Sequence, residues 1–127
     1  MKEFMLRILN QVDSKDSMTP ESHQRFLQSC KDYIGELTKQ GKLIAAQPLI
    51  REGKIISKTK SDWKEIPFNE SSEVHVGYYL ILADDLDDAI SIAKKNPEFE
   101  YTSTARVEVR PIKMKEASTG FEYPKTS

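Results

Sequence analysis

The segment "SSEVHVGYYLILADD", residues 71–85, decides the fold, because it is a long apolar run that ends in acidic residues typical of a helix start. Its middle is rich in Val, Tyr, Ile and Leu, which indicates a strand within a sheet. Side chains alternate between the two faces of a strand. The even-numbered side chains, from Val74 to Leu82, are the more apolar and are predicted to lie beneath helices. His75 and Tyr79 then point to the open face.

Two helices are predicted, one on each side of this strand in the sequence. A polar loop begins at Gln11, after which Thr19 and the proline that follows it mark the start of the first helix. This helix carries an apolar stripe at helical spacing, formed by Phe26, Cys30, Ile34 and Leu37. Asp84 or Asp85 is the predicted N-cap of the second helix, which runs through Lys95.

Further strands are predicted on both sides of the two helices. Residues 1–10 and residues 103–112 alternate between apolar and polar side chains, and residues 42–50 form a shorter apolar strand. Residues 51–68 are predicted to be a β-excursion with a turn near residues 60–62. The order is that of an α+β, split βαβ domain, in which an antiparallel sheet carries both helices on one face.

Polar side chains cluster on the predicted open face of the sheet. They are Arg7, Glu73, His75, Tyr79, Arg106, Glu108 and Arg110. His75 is the candidate catalytic residue, a general acid or base, because an imidazole titrates near pH ~6.5. The alternative is that His75 only pairs with Glu73 or Glu108, or lies at a dimer interface.

Four of these side chains are candidate ligand-binding residues. Arg7 and Arg110 offer guanidinium groups to an anion, and Glu73 and Tyr79 lie beside them on the predicted face. Alternating arginines and glutamates on one strand face more often pair with each other, which is the competing interpretation.

Large apolar side chains are also predicted on the open face, and they favour a homodimer. They are Met5, Leu9, Ile81 and Ile112, together with the ring of Tyr79. Burying each one is worth roughly 1.5–3 kcal/mol, so a second copy of the sheet is expected to cover this face and leave a partly polar cleft. Trp63 is predicted to pack against the partner or to cover the cleft.

Composition limits the classes of protein that this chain can belong to. A length of 127 residues with 38% hydrophobic and 31% charged residues predicts one globular domain, residues 1–113, with a polar tail over residues 114–127. The net charge of −1 argues against nucleic acid and membrane partners. A single cysteine and a charged start predict a cytoplasmic protein. The sequence contains no zinc spacing and no nucleotide-binding motif, so neither a metal nor a cofactor is expected.

Several stretches, taken in order, resemble the YCII-related family and its DGPF-domain group. They are "KEFML", "GKLIAAQPL", "IPF", "GYY", "ADDLDDAISIAKKNP" and "VEVRPI". The resemblance implies a ferredoxin-like domain that dimerises through its sheet face, the dimeric α/β barrel arrangement. The resemblance aligns the family's Asp-Gly-Pro-Phe motif with residues 65–68, which are Glu-Ile-Pro-Phe in this chain. It also places Cys30 near a histidine that has been proposed as catalytic on the family's first helix.

Two classes of function are compatible with the sequence. The first is a small-molecule enzyme or binder that acts on an anionic or aromatic acid in a cleft at the dimer interface. The second is a non-catalytic regulatory module that binds a protein, which the resemblance implies through family members encoded beside sigma factors. A closed pocket lined by His75 and Arg7 would favour the first class, and an exposed apolar patch would favour the second.

Overall fold

The computed structural model describes residues 1–11, 18–68 and 72–124. The elements, in chain order, are β1 (Lys2–Gln11), α1 (Pro20–Lys39), β2 (Leu43–Pro48), β3 (Lys54–Thr59), β4 (Asp62–Pro67), β5 (Glu73–Ala83), α2 (Leu86–Lys94), α3 (Glu98–Tyr101) and β6 (Arg106–Pro111). Residues 12–17, which belong to the predicted polar loop, lie outside the described residues, as do residues 69–71 and the last three residues of the predicted tail.

The main sheet has four strands in the order β2-β5-β1-β6, and every neighbouring pair is antiparallel. β3 and β4 form a separate two-stranded hairpin between β2 and β5. Without this hairpin and the short helix α3, the chain runs strand, helix, strand, strand, helix, strand, which is the ferredoxin-like split βαβ order. The predicted α+β class with an antiparallel sheet is therefore confirmed.

Both long helices begin at the predicted capping residues. The Thr19 Oγ1 accepts a hydrogen bond from the backbone N–H of Ser22 at 3.1 Å, and Pro20 is the first helical residue. In α2 the cap is Asp85, whose Oδ1 accepts from the backbone N–H of Asp88 at 2.8 Å. These side chains satisfy backbone donors that a helix N-terminus would otherwise leave without partners.

The hydrophobic core lies between one face of the main sheet and the helices. Leu6 is fully buried there beside Phe4 and Ile8, as the alternation of β1 predicts. Leu37 of α1 and Ile92 of α2 belong to the same cluster, so both helices cover the same face. Because a tightly packed interior tolerates few voids, this arrangement fixes the positions of the helices over the sheet.

A β-bulge in β5 changes which side chains face the core. Ile8 of β1 lies opposite Gly77, but Leu9 lies opposite His75, so Val76 has no partner on β1. An extra residue on one strand reverses the alternation of that strand beyond the bulge. The sequence-based assignment is consequently correct for His75, which shares the open face with Leu9, but wrong for the residues after the bulge.

Two predicted open-face side chains lie in the core because of this bulge. Tyr79 and Ile81, predicted to face away from the helices, are only 8% and 0% exposed and belong to the core cluster. Tyr78, Leu80 and Leu82 lie instead on the open face, opposite β1 residues of that face.

The β3–β4 hairpin leaves large apolar side chains exposed. The predicted turn near residues 60–62 is confirmed, and Lys60 adopts a positive φ of 56° there. The exposed fractions of Ile56 and Trp63 are 61% and 67%, and the Lys58 Nζ lies 5.0 Å from the centre of the Trp63 ring. An isolated two-stranded hairpin is only marginally stable in water, so contact with another surface would stabilise it.

The described part of the tail turns back on itself. Lys115 and Glu122 form an isolated antiparallel bridge, and the rings of Phe121 and Tyr123 meet edge to face at 5.2 Å. The Tyr123 hydroxyl donates a hydrogen bond to the carboxylate of Glu116. Across the described ranges, none of the helices has both the length and the apolar composition that a membrane crossing requires.

Candidate functional site

The open face of the sheet brings together most of the predicted polar cluster as ion pairs. The Arg106 guanidinium donates two hydrogen bonds to the Glu73 carboxylate, both at 2.7 Å. Arg7 lies 3.8 Å from Glu108. These contacts agree with the competing interpretation, in which the arginines pair with neighbouring glutamates. An anionic ligand would have to displace a carboxylate from Arg7 or Arg106.

His75 lies half-buried on this face, beside the ion pairs. Its Nε2 is buried and has no hydrogen-bond partner among the residues that the structure describes. Burial lowers the pKa of His75 below its ordinary value, and the positive charge of Arg7 acts in the same direction. A hydrogen bond to the backbone of Gly77 and the charge of Glu108 oppose that shift of the pKa. His75 is therefore held preferentially in its neutral form.

This lowered pKa makes the contribution of His75 to stability depend on pH. Neutral His75 stabilises the fold above the ordinary histidine pKa, and that stability is lost as the pH falls through the lower pKa of the folded state. We expect wild-type protein to lose more stability than His75→Gln between about pH 7 and about pH 5. Urea midpoints at both pH values test this.

His23, an exposed residue of α1, provides the control for that measurement. The variant His23→Gln is expected to follow the wild type at both pH values. Equal pH dependence in wild type and His75→Gln would show that His75 does not contribute to it.

The other two predicted ligand-binding residues do not join His75. Tyr79 lies on the opposite face of the sheet because of the bulge, so its predicted place in the cluster is wrong. Arg110 is exposed at the position opposite Met5 on the open face. In the described residues, no group of three His, Cys, Asp or Glu side chains is arranged to bind a metal ion.

A cavity of about 220 Å³ lies on the other face of the sheet, between α1 and strands β2 and β5. It opens to solvent at Leu27, Gln47 and Pro48, which are exposed. The other lining residues are Ile8, Phe26, Cys30, Ile34, Ala46, Val76, Gly77, Tyr78, Tyr79, Asn96 and Glu98. This lining is mostly apolar with a few polar groups, the composition typical of small-molecule sites.

Gly77 shapes the cavity wall where β5 meets the edge strand β2. A Cβ at this position would lie 3.1 Å from the backbone oxygen of Gln47 and 3.3 Å from the Cα of Pro48. Both contacts are with backbone, which cannot move aside as a flexible side chain could. The missing side chain thus lets β2 approach β5 closely beside the cavity.

Asn96 and Glu98 form the polar end of the cavity. Asn96 is 2% exposed, and its Oδ1 accepts a hydrogen bond from the backbone N–H of Glu98 at 2.9 Å. That contact identifies the oxygen of the amide, since only an oxygen can accept there. The Asn96 Nδ2 is buried and has no hydrogen-bond partner among the described residues.

A buried network holds Glu98 in place. The Asn10 Nδ2 donates to the Glu98 Oε2 at 3.0 Å and to the Thr102 Oγ1 at 2.8 Å. The Asn10 Oδ1 accepts from the Thr104 hydroxyl at 2.6 Å. Asn10 itself is 0% exposed and Glu98 is 7% exposed. The network connects β1, α3 and the segment before β6, and so positions the polar end of the cavity.

Tyr79 and Cys30 also line the cavity, and Tyr33 packs against Tyr79. Burial raises the pKa of Tyr79 well above its ordinary value, and Cys30, Tyr33 and Glu98 raise it further. Tyr79 therefore keeps its proton and can donate a hydrogen bond. The rings of Tyr33 and Tyr79 meet edge to face at 5.4 Å, and the Tyr33 hydroxyl donates to the backbone oxygen of Ile92 at 2.7 Å.

The match to known proteins identifies the family. The model of the YCII-related domain matches residues 5–113 of this chain. The chain belongs to the YCII-related domain family. None of the curated proteins matches it. Among solved structures, a de novo designed protein with a ferredoxin fold, determined by solution NMR, is similar at 14% identity with a TM-score of 0.42, over 100% of this chain and 99% of that chain.

In this YCII-related protein, the single cysteine of the sequence lies at the cavity. Cys30 is half-buried on α1 and lines the cavity wall. Residues 65–68, Glu-Ile-Pro-Phe, lie elsewhere, in β4 and the residue after it. Glu65 of that segment forms an ion pair with Lys54 at 3.1 Å on the exposed hairpin.

Sequence reasoning missed the polar end of the cavity in this YCII-related chain. Asn96 and Glu98 are not among the candidate residues that the sequence predicts. No local pattern marks them, because the hydrogen bond between Glu98 and Asn10 joins residues that are 88 apart in the sequence.

Proposed function

We propose that this chain binds a small, largely apolar molecule in the cavity between α1 and the sheet. The observation that carries the proposal is a cavity of about 220 Å³ whose lining is mostly apolar, with Asn96 and Glu98 among its few polar residues. An apolar protein cavity of about 150 Å³ is enough to bind benzene. A substituted single ring is therefore of suitable size.

The chemistry of the lining favours an aromatic ligand over an anionic one. None of the side chains that line the cavity in the described residues is basic. Glu98 contributes a carboxylate, which would repel an anion at short range. Of the anionic or aromatic acid expected from the sequence, only an aromatic ring suits this lining, and the proposed site lies on the helix side of the sheet instead of the face of His75.

A substitution that fills the cavity tests this proposal directly. Ala46 lines the cavity opposite Tyr79, and Ala46→Phe would occupy the space that a ligand needs. We expect ethylbenzene to raise the melting temperature of the wild type but not of Ala46→Phe, because only binding to the folded state stabilises it.

Ala45→Phe is the matched control for the cavity-filling variant. Ala45 precedes Ala46 on β2 and lies opposite Leu80, on the other face of the sheet. The same added ring is expected to leave the response to ethylbenzene intact. A response of equal size in all three proteins would place the binding outside the cavity and refute the proposal.

A second candidate function is self-association through the open face of the sheet, which we propose as the route to a homodimer. Leu80 and Met5 lie opposite each other on that face, and both are half-buried in the single chain. The exposed Ile55, Ile56 and Trp63 of the hairpin offer further apolar surface. Membership of the YCII-related family supports a second copy as the occupant, since the resemblance implies dimers formed through the sheets.

A further inference from the structure

We infer that the β3–β4 hairpin of one copy packs against the main-sheet domain of a second copy of this chain, and not against the second copy's hairpin. The main-sheet domain is the four-stranded sheet with its helices, and the hairpin is residues 54–67. This inference rests on the proposed self-association and names a further surface through which the two copies meet.

The first observation is an apolar surface that the described chain leaves exposed on one face of the hairpin. The strands β3 and β4 pair only with each other among the described residues. Ile56 lies opposite Glu65 in their register. Trp63 lies opposite Lys58, so Trp63 and Ile56 are diagonal neighbours on the same face. Both apolar side chains are exposed, and polar ones flank them, which is the composition of a protein–protein contact surface.

The second observation is the charge of the hairpin. Residues 54–67 contain four lysines, one aspartate and one glutamate, so their net charge is +2. The whole chain carries −1, so the rest of the chain carries −3. Lys54 is paired with Glu65, but Lys60 and Lys64 have no ion-pair partner among the described residues. Two hairpins of like charge repel each other, whereas the main-sheet domain of a second copy attracts the hairpin.

The third observation is the size of the open face. Alternate residues of its four strands supply roughly a dozen side chains, whereas a stable interface takes about 20–30 residues from each partner. The hairpin supplies the additional surface. Each of its strands has six residues and so spans about 20 Å, while packed sheets lie about 10 Å apart. The hairpin is therefore long enough to reach from one copy to the sheet of the other.

The fluorescence of Trp63 tests the inference directly, because this residue is the only tryptophan in the sequence. We expect the emission of the wild type to move to shorter wavelength as the protein concentration rises through the dissociation constant, since the ring leaves water on association. Leu80→Glu, which is expected to stay monomeric, should keep the long-wavelength emission of an exposed indole at every concentration. Acrylamide should also quench Leu80→Glu more strongly than the dimeric wild type.

Trp63→Ser measures what the ring contributes to the dimer. We expect its dissociation constant to rise roughly 30-fold, the factor that corresponds to the loss of one aromatic anchor. Phe99→Ser is the matched control, because Phe99 is 44% exposed on α3, which packs against α1 on the other side of the sheet. This control is expected to dimerise like the wild type. Sedimentation equilibrium over a series of concentrations gives the three constants.

The dependence on salt distinguishes the partner's main-sheet domain from its hairpin as the contact. Salt screens attraction between opposite charges, so the dissociation constant of the wild type should rise between about 0.05 and about 0.5 M NaCl. The double variant Lys60→Glu/Lys64→Glu changes the hairpin charge to −2. Its dimer should be weaker than that of the wild type at low salt and should not weaken further as salt is added. Stronger association of the wild type at high salt would indicate contact between two hairpins and overturn the inference.

Failure of the inference can be distinguished from failure of the proposed self-association. A wild type that stays monomeric overturns both. If the wild type dimerises but the emission of Trp63 does not change, or if Trp63→Ser dimerises as tightly as the wild type, the dimer stands and only the inference is wrong. Short-wavelength emission in monomeric Leu80→Glu would place Trp63 against its own chain, which also contradicts the inference.

Discussion

Replacing Asn10 with alanine is expected to destabilise the protein by about 3–5 kcal/mol, the range typical for removing one partner of a buried charged group. The Asn10 side chain makes hydrogen bonds to Glu98, Thr102 and Thr104, and it is itself fully buried. Alanine would leave the Glu98 carboxylate in the interior without one of its donors. It would also remove partners from two hydroxyl groups. Urea denaturation at neutral pH measures the free energy of unfolding.

The neighbouring residue offers a matched control for this loss. Gln11 also carries an amide at the end of β1, but its side chain is exposed. Gln11→Ala is expected to change the free energy of unfolding by no more than about 0.5 kcal/mol. If Asn10→Ala were as mild as Gln11→Ala, the buried network would not hold the end of the cavity as described.

A charge at the centre of the open face is expected to break the proposed dimer. Leu80 lies on β5, a central strand of the main sheet, opposite Met5 of β1. In Leu80→Glu, a carboxylate would be buried between two sheets without a cation, so the dissociation constant should rise on the order of 100-fold or more. Sedimentation equilibrium at micromolar concentration should give the mass of two chains for the wild type and of one chain for the variant.

Leu86→Glu is the control for that experiment. Leu86 is 45% exposed at the start of α2, which packs on the opposite face of the sheet. This variant is expected to sediment like the wild type. A wild type that sediments as a single chain would contradict the proposed self-association, and a dimeric Leu80→Glu would move the interface away from the open face.

The order of elements could be predicted from the sequence because their signals are local. Thr19 and the proline after it begin α1, Asp85 caps α2, and the strict alternation in β1 gives the correct core side chains. Each signal depends on residues within one turn of helix or one strand. The ferredoxin-like split βαβ order follows once these elements are placed, since sequential connection rules leave few topologies.

The sequence predicts only in part which side chains of β5 face the core. Both faces of this strand carry apolar side chains, so its own pattern does not reveal a bulge, which is a property of its pairing with β1. For this reason His75 was assigned to the correct face while Tyr79 was not. The cavity depends on the same pairing, because Gly77 and Tyr79 face it only after the bulge has reversed the alternation.

The polar end of the cavity could not be predicted from local patterns at all. Asn10 and Glu98 are 88 residues apart in the sequence, and their hydrogen bond forms only when β1 and α3 are packed together. Sequence patterns placed the polar cluster on the open face instead, where Arg106 and Glu73 now form a paired surface contact. Asn96 follows a helix, and its local sequence contains no feature that indicates ligand binding.

The claim that the cavity between α1 and the sheet is a ligand site is tested most directly by NMR with labelled protein and acetophenone. We expect intermolecular nuclear Overhauser effects from the ring protons to the Ala46 methyl group and to the side chain of Ile34, which both line the cavity. Such effects only to the side chains of the open face, for example Leu80, would contradict it. Complete absence of effects at saturating ligand would contradict it equally.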